Sequence, residues 1–138
     1  MKTKKGSGGF FGKILKKAKK KFIRENENII MIARGKLLEP SSNDIGKIYL
    51  GCFILITETR IIFWTRTVKS STVDSFDFAD IKSVEVNNSL LFGGFELIAN
   101  GNNINISEMV KTDVKRVVEE IKLGIRNNKK SLNNSLNE

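Results

Sequence analysis

Residues 48–67, "IYLGCFILITETRIIFWTRT", contain two runs of β-branched and aromatic residues, separated by the dipeptide "ET" at 58 and 59. Apolar runs of this length with a short polar break between them are typical of two strands joined by a tight hairpin. We therefore predict strands over 48–57 and 60–67 that pair with each other in antiparallel orientation.

Runs of the same kind continue along most of the chain and predict seven strands in all. Between them, "NNS" and "NGNN" supply residues that tolerate positive φ, so consecutive strands are expected to be antiparallel neighbours. In "FDFADIKSVEV" the apolar alternation slips after Phe78, which predicts a bulge or corner that curls the sheet. The other predicted strands cover 29–37, 74–78, 81–86, 94–99 and 104–107.

Two segments have helical rather than strand periodicity. Near the N-terminus, apolar residues recur at spacings of three and four with lysines between them, which predicts an amphipathic helix over about 10–24. After residue 110 a second amphipathic helix is predicted, and its apolar stripe would cover the end of an open barrel. Its apolar positions are Val110, Val114, Val117, Val118, Ile121 and Ile125.

The charge of the chain is concentrated at one end. Residues 1–24 hold ten of the 24 Lys and Arg and none of the 15 Asp and Glu, so the remainder carries 14 basic and 15 acidic groups. A near-neutral domain with a basic arm indicates that the arm meets an anionic surface. We predict a basic arm and amphipathic helix over 1–27, a β domain over 28–126 and a disordered tail over 127–138.

The residue types that are missing limit the chemistry. The chain has no histidine, and its single cysteine, Cys52, lies in the apolar "GCFILI", which excludes a Ser/His or Cys/His pair. Strand geometry directs Asp74 and Asp80 away from a common point, so Asp74, Asp77 and Asp80 do not predict a cation site. We predict no catalytic residue, no metal and no cofactor. No apolar run approaches the roughly 18 residues that span a bilayer, and the sequence predicts a cytoplasmic protein.

Four segments together resemble the bacterial pleckstrin-homology (PH) like families, especially the YokE-like type. These are "GCFILITETRIIFW", "FDFADIKSVEV", "GGFELIANGNNINI" and "KTDVKRVVEEI". The resemblance covers residues 28–126 and is most specific at Thr57 to Arg60 and at Asp80 with Ile81. It implies a mainly β fold, a PH-like seven-stranded antiparallel open barrel capped by a C-terminal α-helix, to which this chain adds the N-terminal amphipathic helix. We expect Thr57, Glu58 and Arg60 to brace the hairpin, and Asp80 to cap the turn before Ile81.

The resemblance also implies a non-enzymatic scaffold, and several bacterial relatives are thought to form homo-oligomeric rings through the barrel. In eukaryotic PH domains a basic pair beside the first loop receives an inositol phosphate. Here that loop, "EPSSNDIGK", contains Glu39 and Asp44 against Lys47, with Arg34 and Lys36 in the preceding strand. The loop is too acidic to predict a specific phosphoinositide.

The amphipathic N-terminal segment carries the main functional prediction. In one interpretation its apolar face enters an anionic membrane at the inner surface, while its lysines bind headgroups. In the other it packs on the barrel or on a neighbouring subunit of a homo-oligomer, and the barrel binds an unknown protein partner. Nucleic acid is the least favoured partner, because a Lys-rich helix with an apolar face offers only phosphate neutralisation. The residues predicted to contact the membrane are Phe10, Phe11, Lys13, Ile14, Leu15, Lys16, Lys17, Lys20, Lys21 and Phe22.

Overall fold

A computed structural model describes residues 2–7, 11–40, 47–67 and 70–136. Within these ranges the chain forms eight strands and two α-helices. In chain order they are β1 (Lys4–Lys5), α1 (Phe11–Lys21), β2 (Ile29–Pro40), β3 (Lys47–Thr57), β4 (Arg60–Arg66), β5 (Ser71–Asp77), a 3-10 turn (Phe78–Asp80), β6 (Ile81–Val86), β7 (Gly93–Ala99), β8 (Asn102–Met109) and α2 (Lys111–Leu136).

The main sheet has the order β5-β4-β3-β2-β8-β7-β6, and all its neighbours are antiparallel. The strands β5 and β6 follow each other in sequence but lie at opposite edges, so the sheet is open there. Strands β2 and β8 pair only at Lys36 with Ser107 and Leu37 with Ile106. The predicted mainly β, open antiparallel sheet with a C-terminal helix is confirmed.

The main core lies between the curled sheet and α2. Alternate residues of β3 and β4, such as Ile54 and Phe63, point into it. Helix α2 contributes Val114, Val117, Val118 and Ile121, which share one helical face because they are three or four residues apart. At Gly94 an added Cβ would lie 2.1 Å from the carbonyl oxygen of Ile106, so β7 and β8 could not approach as closely with any other residue there.

The predicted corner after β5 is present as the 3-10 turn, and the register shifts between Ile81 and Ser83 in the pairing of β6 with β7. The turn is closed by the Ile81 N–H, which donates to the carbonyl of Phe78. Asp80 is exposed within the turn, and the cap expected from its side chain stays a prediction.

The structure differs from the sequence interpretation at both ends of the chain. Strand β1 lies in the basic arm, where no strand was predicted, and there the Gly6 N–H donates to Ile32 O at 2.8 Å and Lys4 pairs with Glu120. It pairs in parallel with the part of β2 that β8 does not reach, so it fills an otherwise unpaired edge. Helix α2 continues through 127–136, where a disordered tail was expected, because no glycine or proline after Gly124 ends it.

Candidate interaction surfaces

Helix α1 lies on the outer face of the hairpin β3–β4 and of β2. Its buried residues Phe11, Leu15 and Ala18 recur at spacings of four and three. They form a second apolar cluster, separate from the main core, with residues of the sheet that point outwards. The sheet residues of this outer cluster are Ile29, Ile32, Leu55, Ile62 and Trp64.

Trp64 is the centre of this outer cluster, with only 1% of its surface exposed. The ring of Phe22 meets it edge-on, with 5.1 Å between the centroids. The Lys21 ammonium lies 5.9 Å from the same ring, and the Arg66 guanidinium lies 5.5 Å from it. Phe11 makes a second edge-on contact, with Phe53, at 6.4 Å. Aromatic contacts therefore hold the helix at its first residue and just beyond its last.

The sequence of β4 indicates that a further element covers the outer face of the sheet. A strand with one face in a core and the other in water alternates apolar and polar residues, whereas "RIIFW" in β4 is apolar at every position after Arg60. Residues 61–64 are all buried, with Ile61 and Phe63 in the main core and Ile62 and Trp64 under α1. A strand of this type requires a covering element on each face.

The structure separates nine of the ten residues predicted to contact a membrane into two groups. Phe11 and Leu15 are buried against the sheet, and Ile14 and Phe22 are partly buried. Phe10 lies outside the described residues. The predicted lysines remain exposed on the helix, together with Lys19, which the sequence interpretation omitted. These six residues, which we call the lysine face, are Lys13, Lys16, Lys17, Lys19, Lys20 and Lys21.

A buried ion pair fixes the chain immediately after α1. Arg60 Nη2 donates to Glu27 Oε1 at 2.7 Å and Arg60 Nε donates to Glu27 Oε2 at 2.8 Å, so the contact is bidentate. Only 7% of the Arg60 side chain and 4% of the Glu27 side chain are exposed. Arg60 Nη2 also donates to the Phe22 carbonyl at 2.8 Å. The pair thus ties the end of the helix to the start of β4.

The protonation states of this pair follow from its contacts. Burial acts to raise the pKa of Glu27, but hydrogen bonds from Arg60, the Arg24 N–H and Thr57 outweigh it and hold the pKa at about 2. The hydrogen bonds to Glu27 raise the pKa of Arg60 above its ordinary value, while burial opposes the rise. Both groups are therefore charged at neutral pH. A buried charge of this kind is tolerated because each partner is satisfied.

The prediction that the Thr57–Arg60 segment braces the hairpin is confirmed. Thr57 Oγ1 accepts from the Arg60 N–H at 3.1 Å and donates to Glu27 Oε2 at 2.9 Å. Glu58 accepts from the Asn28 N–H at 2.7 Å. Glu27 was not identified from the sequence, because "RENEN" has the composition of a polar linker and nothing distinguishes one glutamate from the next.

The loop that would correspond to the inositol phosphate site of eukaryotic relatives falls largely on residues 41–46, which lie outside the described residues, as do the side chains of Glu39 and Lys47. Of the two basic residues in the preceding strand, Lys36 pairs with Glu108 at 2.9 Å, and both side chains are about half exposed. Arg34 is exposed on β2.

Other candidate chemistry is limited within the described ranges. Cys52 is buried, and burial raises the pKa of its thiol to about 12, so it is not a thiolate at neutral pH. Across the same ranges, no group of three or more His, Cys, Asp or Glu is placed to hold a metal ion. An open groove of about 390 Å³ lies beside the β6–β7 turn and is lined by Tyr49, Asn87, Ser89, Phe92, Gly93, Ser107 and Glu108.

Two solved structures are similar to this chain at low sequence identity. The C-terminal domain of an unknown protein from Leishmania infantum matches with a TM-score of 0.56 and 11% identity, over 79% of this chain and 95% of that one. Vav1, in a structure with an allosteric inhibitor, matches with a TM-score of 0.44 and 14% identity, over 67% of this chain and 25% of that one. The first of these shows a shared fold. No curated protein gives a significant match.

A family model described as a bacterial PH domain matches residues 23–122, from the start of the connection after α1 to the middle of α2. This range contains the buried pair, all seven strands of the main sheet and the part of α2 that covers the core. Helix α1 and strand β1 precede it. The chain belongs to the bacterial PH domain family.

Proposed function

We propose that this chain is a non-enzymatic PH-like interaction module that associates peripherally with anionic membrane through the lysine face of α1. The PH-like fold supports an interaction module in general. The membrane assignment depends on one observation, which is that α1 presents six exposed lysines and no acidic residue on a helix whose apolar face already has a partner.

The absence of acidic residues favours a role beyond packing. A helix that only covers a sheet needs a polar outer face, and alternating Glu and Lys would supply it with stabilising pairs four residues apart. Six lysines in eleven residues repel one another instead. An anionic surface relieves this repulsion, and each lysine held near such a surface strengthens binding by about fivefold.

The docked position of α1 changes the mechanism expected from the sequence. If Phe11 and Leu15 entered lipid, the sheet residues Leu55, Ile62 and Trp64 would lose their cover and be exposed to water. Binding through the lysines alone requires no such exposure. The helix is also held in place before it meets the membrane, so its backbone does not have to be ordered on binding. Neither helix of the described part of the chain is long and apolar enough to cross a bilayer.

The proposal is tested by co-sedimentation with phosphatidylcholine vesicles that contain or lack phosphatidylserine. The variant Lys16→Gln/Lys17→Gln/Lys20→Gln removes three charges from the lysine face. We expect its affinity for anionic vesicles to fall by about a hundredfold at about 0.1 M salt, and wild-type binding to weaken steeply as the salt is raised to about 0.5 M.

The matched control removes three exposed lysines from α2 in Lys122→Gln/Lys129→Gln/Lys130→Gln. Equal losses in the two variants would show that only net charge matters and would contradict a specific role for α1. A duplex DNA competitor is included. If DNA displaces the protein from vesicles at equal phosphate concentration, the lysine face is a nucleic-acid surface instead.

A further inference from the structure

The turn between β6 and β7 exposes three consecutive large apolar side chains. Leu90 is 91% exposed, Leu91 is 79% exposed and Phe92 is about half exposed. Val110, just before α2, is also about half exposed. Single exposed apolar residues are common on protein surfaces, but a run of three at the tip of a turn is a concentrated patch.

The turn is held in a defined conformation by its own hydrogen bonds. The Ser89 N–H donates to the Phe92 carbonyl at 2.8 Å, and the Ser89 hydroxyl donates to the same carbonyl at 2.9 Å. At its base the Asn87 N–H donates to the Gly94 carbonyl at 2.8 Å. The leucines therefore project from an ordered support, although they contribute nothing to either apolar cluster of the fold.

The polar groups around the turn suit a lipid interface. A backbone group that is hydrogen-bonded within the protein costs less to move from water into a lipid interface than an unpaired one. Here the Phe92 carbonyl is satisfied within the turn, and the Leu90 carbonyl accepts from the Lys111 ammonium at 3.0 Å. Residues 87–94 carry no charge of their own, so Lys111 supplies a cation at the base of an apolar tip. A bilayer has a matching arrangement, with anionic phosphate headgroups at its surface and apolar acyl chains beneath them.

We infer that the Leu90-Leu91-Phe92 turn inserts into the interfacial layer of an anionic bilayer, with Lys111 at the level of the phosphates. This second contact rests on the proposed membrane association but uses a different force. Binding through the lysine face is electrostatic and is screened by salt, whereas insertion of leucine side chains is hydrophobic and is not.

The test uses the full chain and the same phosphatidylserine-containing vesicles. The variant Leu90→Ser/Leu91→Ser removes the apolar tip, and Leu132→Ser/Leu136→Ser, at exposed leucines of α2, is the matched control. We expect the first variant to lose about a hundredfold in affinity and the control to lose less than about twofold. Unchanged thermal unfolding would show that the first variant is folded.

Insertion itself is read from an environment-sensitive fluorophore attached to Leu91→Cys, because the buried Cys52 does not compete for the label. We expect a blue shift on vesicles and quenching by lipids brominated in the acyl chain, with neither effect for a label at Leu132→Cys.

The outcomes separate this inference from the proposed function. Wild-type affinity in Leu90→Ser/Leu91→Ser, with loss in the Lys16/Lys17/Lys20 variant, would overturn the insertion and leave the lysine face intact. Loss of vesicle affinity in the leucine variant alone would support insertion of the turn and would overturn binding through the lysine face. A leucine variant that binds vesicles normally but has a smaller mass in solution would identify the turn as a contact between copies of the chain, which overturns the inference. Absence of vesicle binding in every protein would overturn both.

Discussion

Helix α1 and the β6–β7 turn both carry large apolar side chains, but only those of α1 are covered. Phe11 and Leu15 meet outward-facing residues of the sheet, including Leu55 and Trp64, whereas Leu90 and Leu91 are exposed to water. An amphipathic pattern shows that a face needs a partner, and it does not identify the partner. What distinguishes the two regions is the surface beneath them, because the strands under α1 are apolar on both faces.

The largest effect is expected where α1 meets the sheet. Replacing Trp64 by alanine removes the side chain that Phe22 and the rest of the outer cluster contact. We expect the free energy of unfolding to fall by about 3–5 kcal/mol, because a large buried aromatic is lost and a cavity remains. Urea denaturation measures this change. A loss below about 1 kcal/mol would show that α1 does not pack on the sheet in solution, and the two regions would then be alike.

The buried pair that follows α1 gives the next largest effect, and it depends on pH. The pKa of Glu27 is lowered from 4.5 to about 2, so the folded state binds its proton more weakly than the unfolded chain does. The stabilisation is therefore complete above about pH 5 and is lost as the pH falls towards 2. It amounts to about 3 kcal/mol.

The variant Glu27→Gln separates this effect from the titration of other carboxyl groups. We expect wild type to exceed the variant in unfolding free energy by about 3 kcal/mol at pH 7, and the gap to narrow as the pH falls towards 2. A gap that stays constant between pH 7 and pH 2.5 would contradict a charged, hydrogen-bonded Glu27.

The smallest effect on stability is expected at the exposed turn. Leu90→Ala and Leu91→Ala should each change the unfolding free energy by less than about 0.5 kcal/mol, since neither side chain is buried in the fold. Urea denaturation of both leucine variants and of Trp64→Ala under the same conditions compares their changes in unfolding free energy directly. If either leucine variant lost more than about 2 kcal/mol, the turn would be covered in solution, and its proposed role in lipid contact would fail.

Much of the fold follows from local patterns in the sequence. The dipeptide "ET" predicts the hairpin, the slip in alternation after Phe78 predicts the corner, and the apolar spacing from Val110 predicts α2. Each of these elements depends on residues only a few positions apart in the sequence. The short strand β1 could not be predicted in this way. Its position depends on β8 leaving part of β2 unpaired, which is a property of the complete sheet.

The candidate site could be predicted only in part. The lysines of α1 are visible in the sequence as a charge run, and the alternative that the helix packs on the barrel also follows from its apolar face. Whether Phe11 contacts water, lipid or the sheet depends on which face of β4 points outwards. The alternation of apolar and polar residues cannot identify that face, because every position from 61 to 64 is apolar. Glu27 was missed because its partner Arg60 is distant in sequence.

The central claim is that α1 stays on the sheet while its lysine face binds the membrane, and Trp64 reports on it directly. Trp64 is the only tryptophan, and α1 and Phe22 cover it. Fluorescence is measured at saturating phosphatidylserine-containing vesicles, with acrylamide as the quencher. The account predicts unchanged emission and quenching as weak as in the free protein. A red shift with stronger quenching would show that α1 leaves the sheet when the protein binds, and would contradict the account.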